Sequence, residues 1–269
     1  MPRVGASGRL RTNARLAANR SAPASIRVPS WIRDFNLLLW HDYRTGKQGI
    51  NSRSVKDMAD RADVSYFGTT AIGTVYTNGE HSADLEDTAA DYFKSAPVRL
   101  SPSPLTGLSV MQVIRRETVN GSYDTYAQWK ATGSLRAWRL RVYNNAQNNA
   151  LGFFHSQNGA AINEKRTTGP AIADNTTIHT IGAVFNGAAT DVTLYVDGVP
   201  ATSSYAAGAG QAVIFNPTVE LTLGCSLDAA GNPVSSYDGK LFPSIAMNRV
   251  NSDAEMLALH NFFRQMIGF

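Results

Sequence analysis

The 269-residue sequence predicts an all-β fold: a two-sheet antiparallel sandwich with a short C-terminal helix and an extended basic arm at the N-terminus. Three observations predict it. Short apolar or alternating stretches recur between turn signals from residue 31 onward, which is the pattern of a sandwich. Several of these stretches come in neighbouring pairs whose connections suit hairpins. Helical periodicity is well signed only once, at the end of the chain.

The elements follow in order. Phe35-Asn36-Leu37-Leu38-Leu39-Trp40 is an apolar run followed by His41-Asp42 and a turn-rich stretch to Arg53. Residues 108–118 read as a buried strand ending in charges. Residues 123–130 and 136–143 alternate and are joined across Thr132-Gly133-Ser134, a hairpin signal. A strand at 150–156 is followed by a stretch, 157–177, that reads as loop. Residues 178–186 and 191–196 pair around Gly187-Ala188-Ala189, and Asp197-Gly198 supplies the positive-φ positions of another tight turn. Strands at 212–215 and 219–225 come next, and a last one follows Asp238-Gly239. Ser252 and Glu255 then frame a capping box, and Met256, Leu259, His260, Phe263 and Ile267 recur at helical spacing until Gly268 stops the run. His260 reads as a packing residue of that stripe.

A chain of this length buries roughly 70–75% of the surface its unfolded form exposes, so it needs no staple to fold. Cys225 is the single cysteine, which excludes an intrachain disulfide and reads as a small buried hydrophobe. No apolar run is long enough to span a membrane. Charge divides the chain into an arm, residues 1–30, and a domain, residues 31–269. Arg3, Arg9, Arg11, Arg15, Arg20 and Arg27 lie in the arm, which has no Lys, Asp or Glu. Six of the 25 Lys and Arg residues are there and all 21 Asp and Glu lie beyond it, so residues 31–269 carry a formal −2. The arm's composition is also that of an organellar transit peptide. Its arginines are spaced out and no aromatic residue accompanies them, so nucleic acid is not the expected partner. The expectation is an arm that leaves its own domain and docks on another chain through arginine–carboxylate pairs.

Three segments carry a family resemblance: Ile178-His179-Thr180-Ile181-Gly182-Ala183-Val184-Phe185-Asn186; Leu194-Tyr195-Val196-Asp197-Gly198-Val199; and Tyr237-Asp238-Gly239-Lys240-Leu241, running through Met247-Asn248-Arg249-Val250 to the Ser252-capped helix. A weaker one is residues 84–93 with Ala90-Asp91-Tyr92-Phe93. Together they resemble the concanavalin A-like lectin/glucanase superfamily in its laminin G-like branch, of the virion-associated type. The resemblance implies a jelly-roll sandwich over residues 31–269. It does not fix activity, because one such sandwich hosts many tasks.

Glucanases of that fold use clustered acids, Glu-x-Asp-x-x-Glu or a close variant, and this sequence lacks them. Its densest acidic group, Asp84, Glu86, Asp87 and Asp91, reads as a solvated loop or strand entry. His41, His81, His155 and His179 are scattered, and neither a Gly-x-Ser-x-Gly elbow nor a phosphate loop occurs. Asp191 and Asp228 lack ligand-dense spacing. No catalytic residue, metal or cofactor is therefore expected. What remains is a binding face. Trp138, Leu140 and Val142 are placed toward the core, leaving Arg139, Arg141 and Tyr143 opposite them; Tyr126 and Gln128 on the preceding strand complete a polar and aromatic patch. Arm and sandwich together lead to the expectation of a non-enzymatic virion structural protein of a bacterial virus: a capsid decoration, fibre-base or tail component. It is expected to be a homo-oligomer located in the virion and docked on other virion proteins through residues 1–30. The alternative is a carbohydrate-binding module for host cell-surface glycans.

Overall fold

The computed structural model describes residues 91–269 together with Ile32 and the segments 37–41, 54–55, 64–67, 74–77 and 80–86. The basic arm with its arginines, and Asp87, lie outside the described residues. In chain order the described strands begin with β1 (Leu37–His41), β2 (Ser54–Val55), β3 (Val64–Phe67), β4 (Thr74–Thr77), β5 (Glu80–Leu85) and β6 (Tyr92–Ser95). They continue with β7 (Gly107–Arg116), β8 (Tyr123–Trp129), β9 (Arg136–Val142), β10 (Leu151–His155), β11 (Asn163–Thr167), β12 (His179–Asn186) and β13 (Asp191–Val196). The last are β14 (Val199–Ala201), β15 (Ser203–Ala207), β16 (Thr222–Leu223), β17 (Ser226–Leu227), β18 (Pro233–Val234) and β19 (Gly239–Met247), and the helix α1 spans Asp253–Ile267.

Two antiparallel sheets form a jelly-roll sandwich. One has eight strands in the order β14-β13-β12-β7-β19-β5-β4, with β1 pairing β19; the other has nine, in the order β15-β11-β10-β9-β8-β16-β6-β3-β2. Leu108, Val110 and Ile114 of β7 point into the inter-sheet core, together with Trp138 and Leu140 of β9 and Phe153 of β10. Met111 and Val113, of opposite parity on β7, join Tyr195, Phe242 and Met247 beneath α1. The central strand is thus buried on both faces, which is why its sequence reads as a nearly continuous apolar run.

Local chemistry sets the ends of the elements. The Ser252 hydroxyl accepts from the Glu255 amide and the Glu255 carboxylate accepts from the Ser252 amide, so the helix opens on a complete capping box. At its other end Gly268 takes φ 81° and donates to the Arg264 carbonyl. Asp197 and Gly198 turn β13 into β14 at φ 51° and 78°. A Cβ on Gly198 would lie 2.7 Å from that of His260, so glycine also permits the close approach of α1. Arg116, fully buried, donates to the carbonyls of Thr118, Gly121 and Ile172 and to the Asn149 side chain, tying together loops distant in sequence.

The structure departs from the sequence reading in places where apolar alternation is missing. Within the stretch read as loop, Asn163–Thr167 is a strand, pairing Arg166 with Gly152 and Glu164 with Phe154. All five of its side chains are polar or charged, which hides any strand signal, and backbone pairing with β10 makes it one. β15 was hidden for the same reason by its small and polar residues. Conversely, residues 212–215 form no strand; Ile214 makes only an isolated bridge with Leu105. Among the described residues no helix is long and apolar enough to cross a membrane.

Several polar side chains, Trp138, Ser156 and Ser244 among them, sit in this interior without a side-chain hydrogen-bond partner among the described residues, and one of these is a histidine. His155 of β10 is fully buried, both ring nitrogens are unengaged, and the rings of Phe153, Phe185 and Tyr205 surround it at 5.5–6.3 Å. Burial pushes its pKa down to about 4. The folded imidazole is therefore neutral where the unfolded one binds a proton. Its contribution to stability is intact above the unfolded value near 6.5 and falls as pH drops toward 4. Relative to His155→Leu, the native chain should lose about 3 kcal/mol between pH 7 and pH 4. Urea unfolding of both proteins at the two pH values measures this; parallel losses would show that His155 is not the titrating group.

Candidate functional site

The two sheets differ in how their outer faces are covered. On the eight-stranded sheet, α1 seals the apolar side chains. On the nine-stranded sheet a small cluster of Ala127, Trp129, Tyr143, Ala150 and Phe154 lies outward, and arginine side chains cover it.

Register decides which of the expected patch residues reach this face. Across β8 and β9, Tyr126 is opposite Leu140 and Gln128 is opposite Trp138, whereas Asp124 is opposite Arg141 and Ala127 opposite Arg139. The expected five-residue patch therefore divides. Arg139, Arg141 and Tyr143 lie outward, and Tyr126 and Gln128 turn into the sandwich, where both are fully buried. Tyr126 meets Trp138 edge to face at 5.0 Å, and Gln128 donates to the carbonyls of Val98 and Pro217. The register shift between Asp124 and Tyr126 is the physical cause: it places a bulge at Thr125, so Tyr123 and Tyr126 both reach the core.

Asp124 organises the outward face. It is fully buried and accepts from Arg141 Nε at 2.7 Å, Arg141 Nη2 at 2.9 Å, Arg139 Nη1 at 2.9 Å and Ser226 Oγ at 2.6 Å. Burial alone would raise its pKa, but the two guanidinium groups and the hydrogen bonds from Arg141 and Ser226 hold it below the usual carboxylate range. Arg141 Nη2 also donates to Ser235 Oγ, so the β17–β18 hairpin is fastened to the same group.

From that anchor the arginines reach over the rings. The Arg139 guanidinium is 4.7 Å from the Trp129 centroid and 4.1 Å from that of Phe154. Arg141 is 5.4 Å from Phe154, Arg166 is 4.0 Å from Tyr143, and Arg136 is 6.0 Å from Trp129. A second carboxylate closes the row: Glu164 accepts from the Tyr143 hydroxyl and from Arg166 Nε. Burial and that bond push the Tyr143 hydroxyl pKa up, keeping it a donor. Gly152, between Arg141 and Arg166 in the sheet, leaves room for the Tyr143 ring; a Cβ there would lie 2.9 Å from it. The side chains of Arg139, Arg141 and Arg166 remain 13, 17 and 28% exposed. Arg139 Nη2, Arg141 Nη1 and Arg166 Nη1 have no hydrogen-bond partner among the described residues.

Sequence reasoning missed Asp124, Trp129, Phe154, Glu164 and Arg166. The first three are in strands it had recognised, where alternation was available as a signal; the last two are in the stretch read as loop.

Among the described residues, Asp84 and Asp91 of the acidic group at 84–91 are engaged within the chain. Asp84 and Glu86 do come together, with Glu117, their oxygens within 4.8 Å of one another. Lys240 Nζ already bridges Asp84 at 2.9 Å and Glu117 at 3.1 Å, supplying the counter-charge from within the chain. Asp91 is buried and accepts from the Tyr66 hydroxyl at 2.6 Å. Elsewhere, a cavity of about 440 Å³ lies where the chain crosses between sheets, lined by Thr167–Ala171, Val196, Ala201 and Thr202. Its Thr168 amide and hydroxyl are spent on the Thr202 carbonyl. His179 stands between Asp197 at 2.9 Å and Asp174 at 3.5 Å, and so braces the loop before β12.

Asp124 is the member of the array whose loss should cost most. Asp124→Asn would leave two largely buried guanidinium groups without their counter-charge, a change worth about 3–5 kcal/mol. Replacing Asp124, Arg139 and Arg141 together by Leu, Met and Met should cost less than that single change. Denaturant midpoints of the two variants decide it, and a triple variant weaker than Asp124→Asn would contradict this account.

No protein-family model matches the sequence, and no curated protein matches it. Solved structures do share its shape. The binding domain of botulinum neurotoxin DC, solved in complex with rat synaptotagmin II, aligns at TM-score 0.58 and 12% identity over 84% of this chain and 51% of its own. This chain thus spans about half the length of that structure. Domain 4 of AbnA, an extracellular arabinanase from Geobacillus stearothermophilus, solved in complex with arabinotriose, aligns at TM-score 0.59 and 12% identity over 84% of this chain and 98% of its own. At such identities the likeness is one of fold: the chain shares the jelly-roll sandwich of these domains.

Proposed function

We propose that the chain is a non-catalytic glycan-binding domain whose binding surface is the outer face of the nine-stranded sheet. The observation that carries this reading is the array of Arg139, Arg141 and Arg166, each held by a buried carboxylate and each with an unengaged nitrogen. Fixed N–H donors suit the oxygen-rich surface of a saccharide, and little side-chain freedom remains to be lost on binding. The described acids support a binding role over a hydrolytic one, since Asp84, Asp91 and Asp124 are each occupied by internal partners. The arabinanase domain solved with arabinotriose, matched along nearly its whole length, also favours it. A virion-docked role through residues 1–30 is a separate proposal that rests on the charge of the arm.

Affinity electrophoresis of the full chain through gels containing neutral and acidic polysaccharides tests the proposal. Saturable retardation by at least one polysaccharide, without release of reducing sugar, is expected. Migration unchanged in every gel would end the glycan reading. Sugar release abolished by Asp84→Asn would replace it with an enzymatic one.

A further inference from the structure

We infer that this face selects an acidic saccharide, one whose carboxylate or sulfate groups meet the row of arginines; the inference rests on the glycan reading above. Charge is the first argument. Among the described residues, the row of Arg136, Arg139, Arg141 and Arg166 is accompanied by two acids, Asp124 and Glu164, leaving the row about +2, whereas residues 31–269 as a whole carry −2. A local positive surface on an acidic domain attracts anions selectively.

The second argument is what the arginine row cannot offer. A neutral sugar is commonly gripped by an open aromatic ring, but Trp129, Tyr143 and Phe154 are only 2, 3 and 7% exposed beneath the guanidinium groups, and the 40% exposed ring of Phe67 lies away from the row, on β3, with Lys94 over it. The same closure argues against nucleic acid, whose bases need accessible rings to stack on. Charged donors are what remains, and the guanidinium fork matches the oxygens of a carboxylate or sulfate. Geometry is the third. Arg141, Gly152 and Arg166 are cross-strand neighbours on β9, β10 and β11, at strand spacings of about 5 Å each, so two forks flank the Tyr143 ring that fills the room over Gly152. An extended acidic chain lying across the strands meets one fork after another.

Calorimetric titration of the full chain with oligogalacturonate, dextran sulfate, arabinan and single-stranded DNA tests the inference. Oligogalacturonate or dextran sulfate should bind, more weakly as salt rises, and the stronger of the two identifies carboxylate or sulfate as the recognised group. Arg166→Gln should weaken that binding by about tenfold or more, the loss of one charged hydrogen bond. Arg136→Gln, remote from Asp124, is a second variant for the case in which Arg166→Gln fails to fold; it should also weaken binding. Neither substitution touches the arginines of residues 1–30, so polyanion binding that survives both unchanged belongs to another surface and overturns the inference. Arabinan binding as tightly as the acidic chains overturns it too, while leaving the glycan reading standing. DNA binding as tightly as the acidic saccharides overturns it in favour of unselective attraction to charge. No binding of any saccharide removes both this inference and the reading beneath it.

Discussion

A carboxylate buried as completely as that of Asp124 must be neutralised, and the way this chain neutralises it shapes the whole outer face of the nine-stranded sheet. Its two oxygens receive three hydrogen bonds from guanidinium groups and one from a hydroxyl. Those bonds draw Arg139 and Arg141 down against the sheet, where their guanidinium groups stand over Trp129 and Phe154. The β17–β18 hairpin is drawn in by the same bonds, through Ser226 and Ser235. One buried charge thereby fixes two cations, shields two aromatic rings and positions a hairpin.

The sandwich has two outer faces and solves the cover problem twice. The face rich in Met, Phe and Ile takes a helix, whose buried stripe supplies matching apolar surface. The other face carries aromatics interspersed with arginines, and those arginines provide both the apolar contact of their planes and a polar outer edge. A helix-covered face is closed to ligands. A guanidinium-covered one keeps hydrogen-bond donors at the surface, and the proposal of a glycan-binding face rests on this difference.

Polar groups inside the sandwich serve registry as well as cover. Gln112 of β7 donates across the core to the Thr125 carbonyl, at the bulge that sets the phase of β8. Gln128 binds the carbonyls of Val98 and Pro217. Buried donors of this kind are satisfied in one alignment of the sheets and orphaned in others, so they select a register that apolar contacts alone would leave looser.

By itself the sequence determined the sandwich, its principal hairpins and the capped helix, because these depend on local periodicity and turn chemistry. Asp197-Gly198, Ser252 with Glu255, and Gly268 each act through their own backbone and near neighbours. It also placed Arg139, Arg141 and Tyr143 opposite the core-facing Trp138, Leu140 and Val142, as simple alternation requires. Only the tertiary structure decided the rest of the site. A single bulge at Thr125 reverses the facing of Tyr126 and Gln128, and alternation cannot reveal it. Glu164 and Arg166 belong to a strand defined by its pairing with β10 and not by its own pattern. The assembly of Asp124 with Arg139 and Arg141, and of Glu164 with Tyr143 and Arg166, depends on which strands lie side by side, a property of the folded sheet.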